Sequence, residues 1–438
     1  MNDIPETASV TGTIFTGPVY HVYPLGMLGA PHTQTGVADP LAPDDPGNIR
    51  AIADWIPHLK RMNAEAMLFG PIFSSESHGY DILDLSRIDP RLGTNEDFKR
   101  LTAELHRAGI SVLLDGVFNH VGRGFFAFQD VVVHREASAY REWFSHLRFD
   151  RPGPAGDGID YATWVRRWID DFEIDGLRLD AADVIDPSLW PELRATVDAH
   201  YRGNHRFGRG RFWLNGEMVH GDYASICGPD ALDGTTNYEV YKGLYSSHND
   251  KNYHEIAHSL ERQFAPGGIY RGLRLLSFAD NHDVPRIAST LADPRHLYPL
   301  HLLLFTIPGT PAIYYGSETG VPGVKDGDDW PLRPALTPDT LVEAGRHPDL
   351  AAAIIRLSHV RHAVPDLAGT NYDPISVADE QIVFRRGATV VAVNAADHPA
   401  SVSIPAGIYR DELNDSAEIT GDAPVELPPL WGRVLVPQ

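Results

Sequence analysis

Cysteine is nearly absent from this chain. Its one cysteine, Cys227, leaves no intramolecular disulfide to form and excludes a metal centre built on several thiolates. Positive charge is also scarce: 37 lysines and arginines face 59 aspartates and glutamates, a formal charge of -22. That balance argues against nucleic-acid and anionic-membrane partners and fits a protein acting on a neutral ligand. No apolar run approaches the ~20 residues of a membrane span. The first residues, Met1-Asn2-Asp3-Ile4-Pro5-Glu6, have neither the basic region nor the apolar stretch of an export signal, so cytoplasmic residence is expected. Internal repeats, low-complexity tracts and charge blocks are missing as well.

What is present is apolar mass. With 43% hydrophobic and 10% aromatic residues over 438 positions, the chain can bury a large core in two or three domains. Residues 1–12 read as a loose polar leader. Strand-like segments then alternate with helical ones: strands at Pro18–Tyr23, Ala66–Phe69, Ser111–Asp115, Gly176–Asp180, Phe212–Asn215, a weaker one near Leu232-Asp233, Leu273–Phe278 and Pro311–Tyr315. Helical spacing falls at Ile49–Met62, Thr94–Ala108, Trp164–Phe172, Pro187–His200, Tyr253–Phe264, His296–Thr306 and Leu350–His362. Eight strands in such alternation are the number that closes a (β/α)8 TIM barrel. After about Pro365, short alternating segments such as Gln381–Phe384, Val390–Val393 and Arg433–Val436 read as an antiparallel β-sandwich. The expected organisation is a barrel over residues 1–120 and 161–363, a small insertion after strand three over 121–160, and a C-terminal β-sandwich over 364–438.

A parallel barrel assembles its site from the C-terminal ends of different strands. Asp115 ends the third strand, with Asn119 and His120 just beyond. Asp180 ends the fourth, and Glu217 follows the fifth. Asp280-Asn281-His282-Asp283 follows the seventh. Each acid alone reads more readily as a helix cap or loop group than as a catalytic one. Arg178 and Asp180, two apart on a strand, point to one side, and an arginine there favours the ionised carboxylate. Taken alone, that pair is as readily structural as functional. Four clusters in phase with the barrel point instead to glycoside hydrolysis, which needs two carboxyl groups flanking the bond and groups that stabilise an oxocarbenium-like transition state.

The motifs resemble those of glycoside hydrolase family 13, the α-amylase family. The resemblance is carried by Asp115-Gly116-Val117-Phe118-Asn119-His120, Gly176-Leu177-Arg178-Leu179-Asp180, Gly216-Glu217 and Phe278-Ala279-Asp280-Asn281-His282-Asp283. His78-Gly79-Tyr80-Asp81 and Ile88–Thr94 match the family's segment after the second strand. The resemblance implies Asp180 as nucleophile, held ionised by Arg178, Glu217 as general acid and then base, and Asp283 as stabiliser of the distorted sugar. It further implies His120 and His282 on sugar hydroxyls, Tyr80 stacked under the ring, Asp115 orienting these groups, and Asp329 and Arg333 on the next sugar. Retention of configuration implies nucleophile and acid carboxyls about 5–5.5 Å apart. The activity implied is retaining hydrolysis of α-glucosidic bonds, mainly α-1,4, in short or cyclic α-gluco-oligosaccharides such as maltodextrins, cyclodextrins or cyclic maltosyl-maltose.

The chain also departs from the pattern. The insertion is short, and the family's Pro-Asp-Leu-Asn-like segment is not found. Asn119 resembles a calcium ligand, yet the acidic partners are not evident. No cofactor is expected to be required, and Asn119 is expected to bond the loop backbone. Neopullulanase and cyclomaltodextrinase relatives often carry Asn-Glu where this chain has Asp183-Val184, and Val-Trp-His where it has Met218-Val219-His220. Only a short leader precedes the barrel where those relatives have a β domain, so a homodimer is left open. Phe125, Phe126, Trp143 and Phe144 are expected to form the insertion's own core, the other reading being a sugar platform over the cleft. Trp164 and Trp168 are expected to pack on the barrel, and Cys227 to be a small buried residue. Three rival readings stand beside hydrolysis: a transglycosylase or isomerase using the same intermediate, metal chemistry on Asp115, His120, Asp180 and Glu217, and a non-catalytic sugar-binding barrel.

Overall fold

The computed structural model describes residues 15–34, 48–144, 161–201 and 211–438. Eight parallel strands form one sheet: β1 (Val19–Val22), β2 (Ala66–Phe69), β3 (Ser111–Gly116), β4 (Gly176–Leu179), β5 (Trp213–Gly216), β6 (Gly234–Thr235), β7 (Leu276–Phe278) and β8 (Thr310–Tyr314). Their order is β6-β5-β4-β3-β2-β1-β8-β7. A parallel bridge from Thr236 to Leu276 joins the two ends, so the sheet closes into a barrel.

Alternation along the strands divides the side chains into two cores. Val19, Ala66, Leu68, Leu113, Trp213, Leu276, Phe278 and Ala312 fill the barrel interior. Val22, Met67, Phe69, Val112, Leu114, Leu177 and Leu214 face outward to the helices. Gly176 belongs to the crowded interior: a Cβ there would stand 2.6 Å from the Trp213 carbonyl oxygen and 2.8 Å from Leu113. Register then does the positioning. Asp115 pairs with Arg178 across β3 and β4, and Arg178 with Asn215 across β4 and β5. The polar side chains therefore stand in one layer at the mouth of the barrel.

Several helices follow the expected spacing, with local corrections. Asn95–Arg107 starts on a reciprocal capping box between Thr94 and Asp97. The segment expected as one helix over Ile49–Met62 divides into a 3-10 stretch, Ile49–Trp55, and an α-helix, Ile56–Arg61, with Pro57 at the junction. Strand six lies two residues later than Leu232-Asp233, at Gly234–Thr235. Among the elements not expected from the sequence are the helix Tyr238–Asn249 and the hairpin Phe73–Ser75/Ile82–Ile88. Trp168 packs as expected, stacked on Phe73 and Phe118 with its indole N–H donating to the Leu85 carbonyl.

The insertion begins with a helix, Phe126–His134, and its part over 145–160 lies outside the described residues. Phe125 and Phe144 are buried, but in the same core as the barrel's helices rather than in a core of the insertion's own. Phe126 is not buried: it is 45% exposed and packs edge-on against Tyr140 and Trp143. The helix entrance turns Phe125 inward, so its chain neighbour faces out. Cys227 is only half-buried.

The C-terminal part has a six-stranded antiparallel sheet, built from Asp373–Val377, Gln381–Arg386, Thr389–Asn394, Trp431–Pro437, Ile408–Asp411 and Glu418–Thr420 in that spatial order. A two-stranded sheet, Ala400–Val402 with Val425–Leu427, covers one face over Val383, Val390, Ala392 and Leu435. The other face joins the helical core of the barrel through Ile382, Phe384, Val391, Val393 and Val434. Arg386, fully buried, reaches from this sheet to the Thr306 carbonyl at the end of the helix Leu297–Thr306. Positive charge is favourable at a helix C-terminus, and the guanidinium satisfies carbonyls the helix leaves open. Among the described residues no helix is long and apolar enough to cross a membrane.

Candidate active site

Arg178 is the centre of the barrel mouth. Buried at 3% exposure, its Nη1 donates to both Asp115 oxygens at 2.7 and 2.8 Å and to Asp180 Oδ1 at 3.0 Å. Its Nη2 lies 2.7 Å from Glu217 Oε1 and 4.0 Å from Asp283 Oδ2. One guanidinium thus gathers carboxylates from the ends of β3, β4, β5 and β7. The remaining expected residues join the same group. Tyr80 donates its hydroxyl to Asp115 Oδ2 at 2.9 Å, bonds His282 Nε2, and stacks on the His282 ring. His282 Nε2 stands 3.0 Å from Asp283. Arg333 reaches Asp283 and Asp329, each at 3.4 Å. His78, Tyr80, His120, Asp180, Asp283, Asp329 and Arg333 line a single cleft of about 660 Å³, with Lys325 and Trp330 on its wall. All ten site residues expected from the sequence are brought together.

Electrostatics separates the carboxyl groups. Burial pushes Asp180 well above the usual carboxylate range, and the neighbouring Asp115, Glu217 and Asp283 push the same way against the pull of Arg178. Arg178 still favours the ionised form, but it is shared among several carboxyl groups and burial outweighs it. Asp115 is raised too, chiefly by burial. Asp283 goes in the opposite direction: burial works against its charge, but His282, Arg178 and Arg333 together hold it below the usual range. Burial also lowers His120 to about 4, so its imidazole is neutral and can accept as well as donate a hydrogen bond.

The backbone after the nucleophile candidate is strained. Ala181 has φ +41°, a left-handed conformation that costs a side chain on the order of 1–3 kcal/mol. That turn aims its N–H at Glu217 Oε2, 3.1 Å away. Three contributors stand outside the site residues expected from the sequence. Tyr238 donates to Glu217 Oε1 at 2.9 Å, from the first residue of the unforeseen helix. Tyr23 lies under the Arg333 guanidinium and donates to the His78 carbonyl. Trp330 stacks face to face on His32, 3.8 Å between centroids. The only sequence signal for Tyr238 was its place next to Asn237 at the end of β6.

Beyond the acid, the residues that differ from the resembled pattern do flank it. Val184 is 59% and Val219 40% exposed, and Asp183 feels the charges of both Glu217 and His220. Asn119 does not bond the loop backbone as expected; its buried Oδ1 has no partner among the described residues. One such oxygen is far short of the six to eight that calcium takes, and among the described residues no cluster of three acids, histidines or cysteines could hold an ion.

A closed parallel barrel with this carboxylate constellation at the ends of its strands matches a known family along most of its length. The model of the alpha amylase catalytic domain matches residues 31–160 and 158–362. The chain belongs to the α-amylase family. Among characterised relatives, the maltogenic alpha-amylase of Bacillus acidopullulyticus is 30% identical over 307 residues, 64% of this chain and 50% of that protein. Neopullulanase 2 of Thermoactinomyces vulgaris is 31% identical over 315 residues, 64% of this chain and 51% of that one. The chain thus spans about half the length of the curated relatives it matches. A solved structure matches end to end: the ligand-free cyclic alpha-maltosyl-(1-->6)-maltose hydrolase of Arthrobacter globiformis superposes with a TM-score of 0.77 at 25% identity, covering 97% of this chain and 99% of that one.

Proposed function

We propose that this α-amylase family member is a retaining hydrolase of α-glucosidic bonds, mainly α-1,4, in short or cyclic α-gluco-oligosaccharides. The observation that carries this reading is the convergence of Asp180, Glu217 and Asp283 on one guanidinium at the floor of a cleft. In the first step Glu217 gives its proton to the glycosidic oxygen, the C1–O bond breaks, and Asp180 bonds C1 from the opposite face. In the second, Glu217 takes a proton from water as that water displaces Asp180. Asp283, the carboxylate most firmly held ionised, stabilises the positive charge that develops on the sugar ring.

Tyr80, buried except for its side toward the cleft, offers a platform for the sugar, with His120 and His282 on its hydroxyls. Asp329 and Arg333 take the neighbouring unit. Support for small α-glucans as substrates comes from the names of the relatives and from the end-to-end structural likeness to a hydrolase of a cyclic tetrasaccharide. No metal takes part in either step, and the setting is cytoplasmic, like that of a relative named intracellular maltogenic amylase from Bacillus subtilis.

The test is product analysis by proton NMR and chromatography with maltooligosaccharides, cyclodextrins and cyclic maltosyl-maltose. Early accumulation of the α-anomer of a shorter sugar is expected. First appearance of the β-anomer would overturn retention. Dominance of longer or rearranged sugars would move the protein to the transglycosylases or isomerases, and intact substrate throughout would leave a sugar-binding barrel.

A further inference from the structure

Glu217 has two carboxyl oxygens, and the structure treats them differently. Oε1 lies 2.7 Å from Arg178 Nη2 and 2.9 Å from the Tyr238 hydroxyl. Among the described residues Oε2 meets only the Ala181 N–H, at 3.1 Å. A proton on Oε1 would point at a guanidinium; a proton on Oε2 leaves that oxygen a lone pair for the Ala181 N–H.

The direction of the Tyr238 hydrogen is set from further away. Asn281 Oδ1 accepts from the backbone N–H of Asp283 at 2.8 Å and of Val284 at 3.2 Å. Those two donors fix which end of the amide is oxygen, so the Asn281 NH2 is the end that faces Tyr238, 3.3 Å from its hydroxyl oxygen. An amide NH2 can only donate. The Tyr238 oxygen therefore accepts from Asn281, and its own hydrogen is left for Glu217. The ring is held by edge-on packing against Phe278 of β7, which keeps the hydroxyl in reach.

We infer that Tyr238, turned by Asn281, is a positioning residue that reserves Glu217 Oε1 and so keeps the acid's transferable proton on Oε2. This deepens the proposed hydrolase reading and rests on it. The same three links tie the loop that carries Asp283 to the acid: the Asp283 backbone holds Asn281, Asn281 holds Tyr238, and Tyr238 holds Glu217. Placement of the proton is thereby coupled to placement of the charge stabiliser.

The role has a signature that loss of packing would not give. Departure of a sugar alkoxide needs a well-placed proton, whereas fluoride leaves with far less protonic help. Maltotriose and α-maltosyl fluoride share one glycone and differ in the leaving group. Tyr238→Phe keeps the ring and removes only the hydroxyl. It is expected to lose at least about tenfold more in kcat/KM on maltotriose than on the fluoride, part of the ~10²–10⁴-fold that general acid catalysis supplies. Glu217→Gln should show the same split, larger.

Asn281→Asp keeps the acceptor for the Asp283 and Val284 N–H groups but swaps the donor for an acceptor. It draws the Tyr238 hydrogen away from Glu217 and should reproduce the split without touching the ring. Equal losses on both substrates in Tyr238→Phe and Asn281→Asp, with wild type cleaving both, would overturn the role of Tyr238 alone. Wild type that leaves both compounds intact would overturn the hydrolase reading, and this inference with it.

Discussion

Four carboxyl groups share two guanidinium groups at the cleft floor, Arg178 and Arg333. The ionised state that attack requires is the one burial opposes most at Asp180, so activity and stability pull against each other there. Asp180→Asn is expected to lower kcat by orders of magnitude while oligosaccharide binding, followed by calorimetry, persists. The same variant should melt about 2 °C or more above wild type at neutral pH, because it removes a charge that the fold carries at a cost. A lower melting temperature would contradict this account of the cluster. The pH profile follows with the same sign. A raised Asp180 must lose its proton before it can attack, so activity should fall, as pH drops, at a higher pH than an ordinary carboxylate near 3.9 would give. A kcat/KM profile that stays flat down to that range would count against Asp180 as the nucleophile.

At the scale of elements, the loop after β8 is tied to the barrel by Arg286, together with the hydroxyls of Tyr314 and Tyr315. Arg286 is fully buried, stacked on Tyr314 at 4.0 Å, and donates to the carbonyls of Leu332 and Tyr315; its backbone N–H bonds the Gly323 carbonyl. This braces both ends of the segment that carries Asp329 and Trp330 into the cleft. Arg286→Met orphans the Tyr315 carbonyl, leaves that of Leu332 to the Tyr314 hydroxyl alone, and should cost about 2–4 kcal/mol in urea unfolding, with a raised KM reporting the loosened wall. A change below ~0.5 kcal/mol would remove Arg286 from this role. The legibility of elements followed their apolar pattern. Ala66–Phe69 was read to the residue because four buried apolar positions in a row leave little choice. Tyr238–Asn249 was missed because its Tyr, Ser, His, Asn and Gly243 argue weakly for helix. Gly243 has a packing reason: a Cβ there would lie 2.7 Å from Ile256 of the following helix, so close approach of the helices overrides propensity. The ten residues gathered at the barrel mouth were legible because each stood in a segment that resembles a motif of the family. Tyr238, in no such motif, became visible only through its contact with Glu217.

For the molecule as a whole, buried histidines set the response to acid. Burial lowers His248 to about 3 and His301 to about 4. Each is neutral in the fold but takes a proton near 6.5 when unfolded, so its contribution is complete above pH 6.5 and is lost as pH falls toward 4. The raised carboxylates Asp115, Asp180 and Asp280 carry the opposite sign. The difference between wild type and His301→Gln isolates the histidine part: the melting temperature of the variant should fall less steeply from pH 6.5 to 4. Parallel curves would assign the acid response elsewhere. Exhaustive chelation should leave both activity and melting temperature unchanged, and a drop of several degrees would instead place an ion beside Asn119.

The guanidinium of Arg386 on the Thr306 carbonyl, with Arg361 on those of Phe305 and Gly309, has a meaning for the order of synthesis. Closure of the barrel pairs β1 with β8, so residues near 20 wait for residues near 312 to leave the ribosome. The helix before β8 then waits a further ~70 residues for the arginine that caps it. The nascent chain thus holds an open, apolar half-barrel for most of its translation, a state prone to aggregate. Its last strands act as the latch: a chain released before residue 386 keeps every residue of the cleft and lacks the part that fastens it shut.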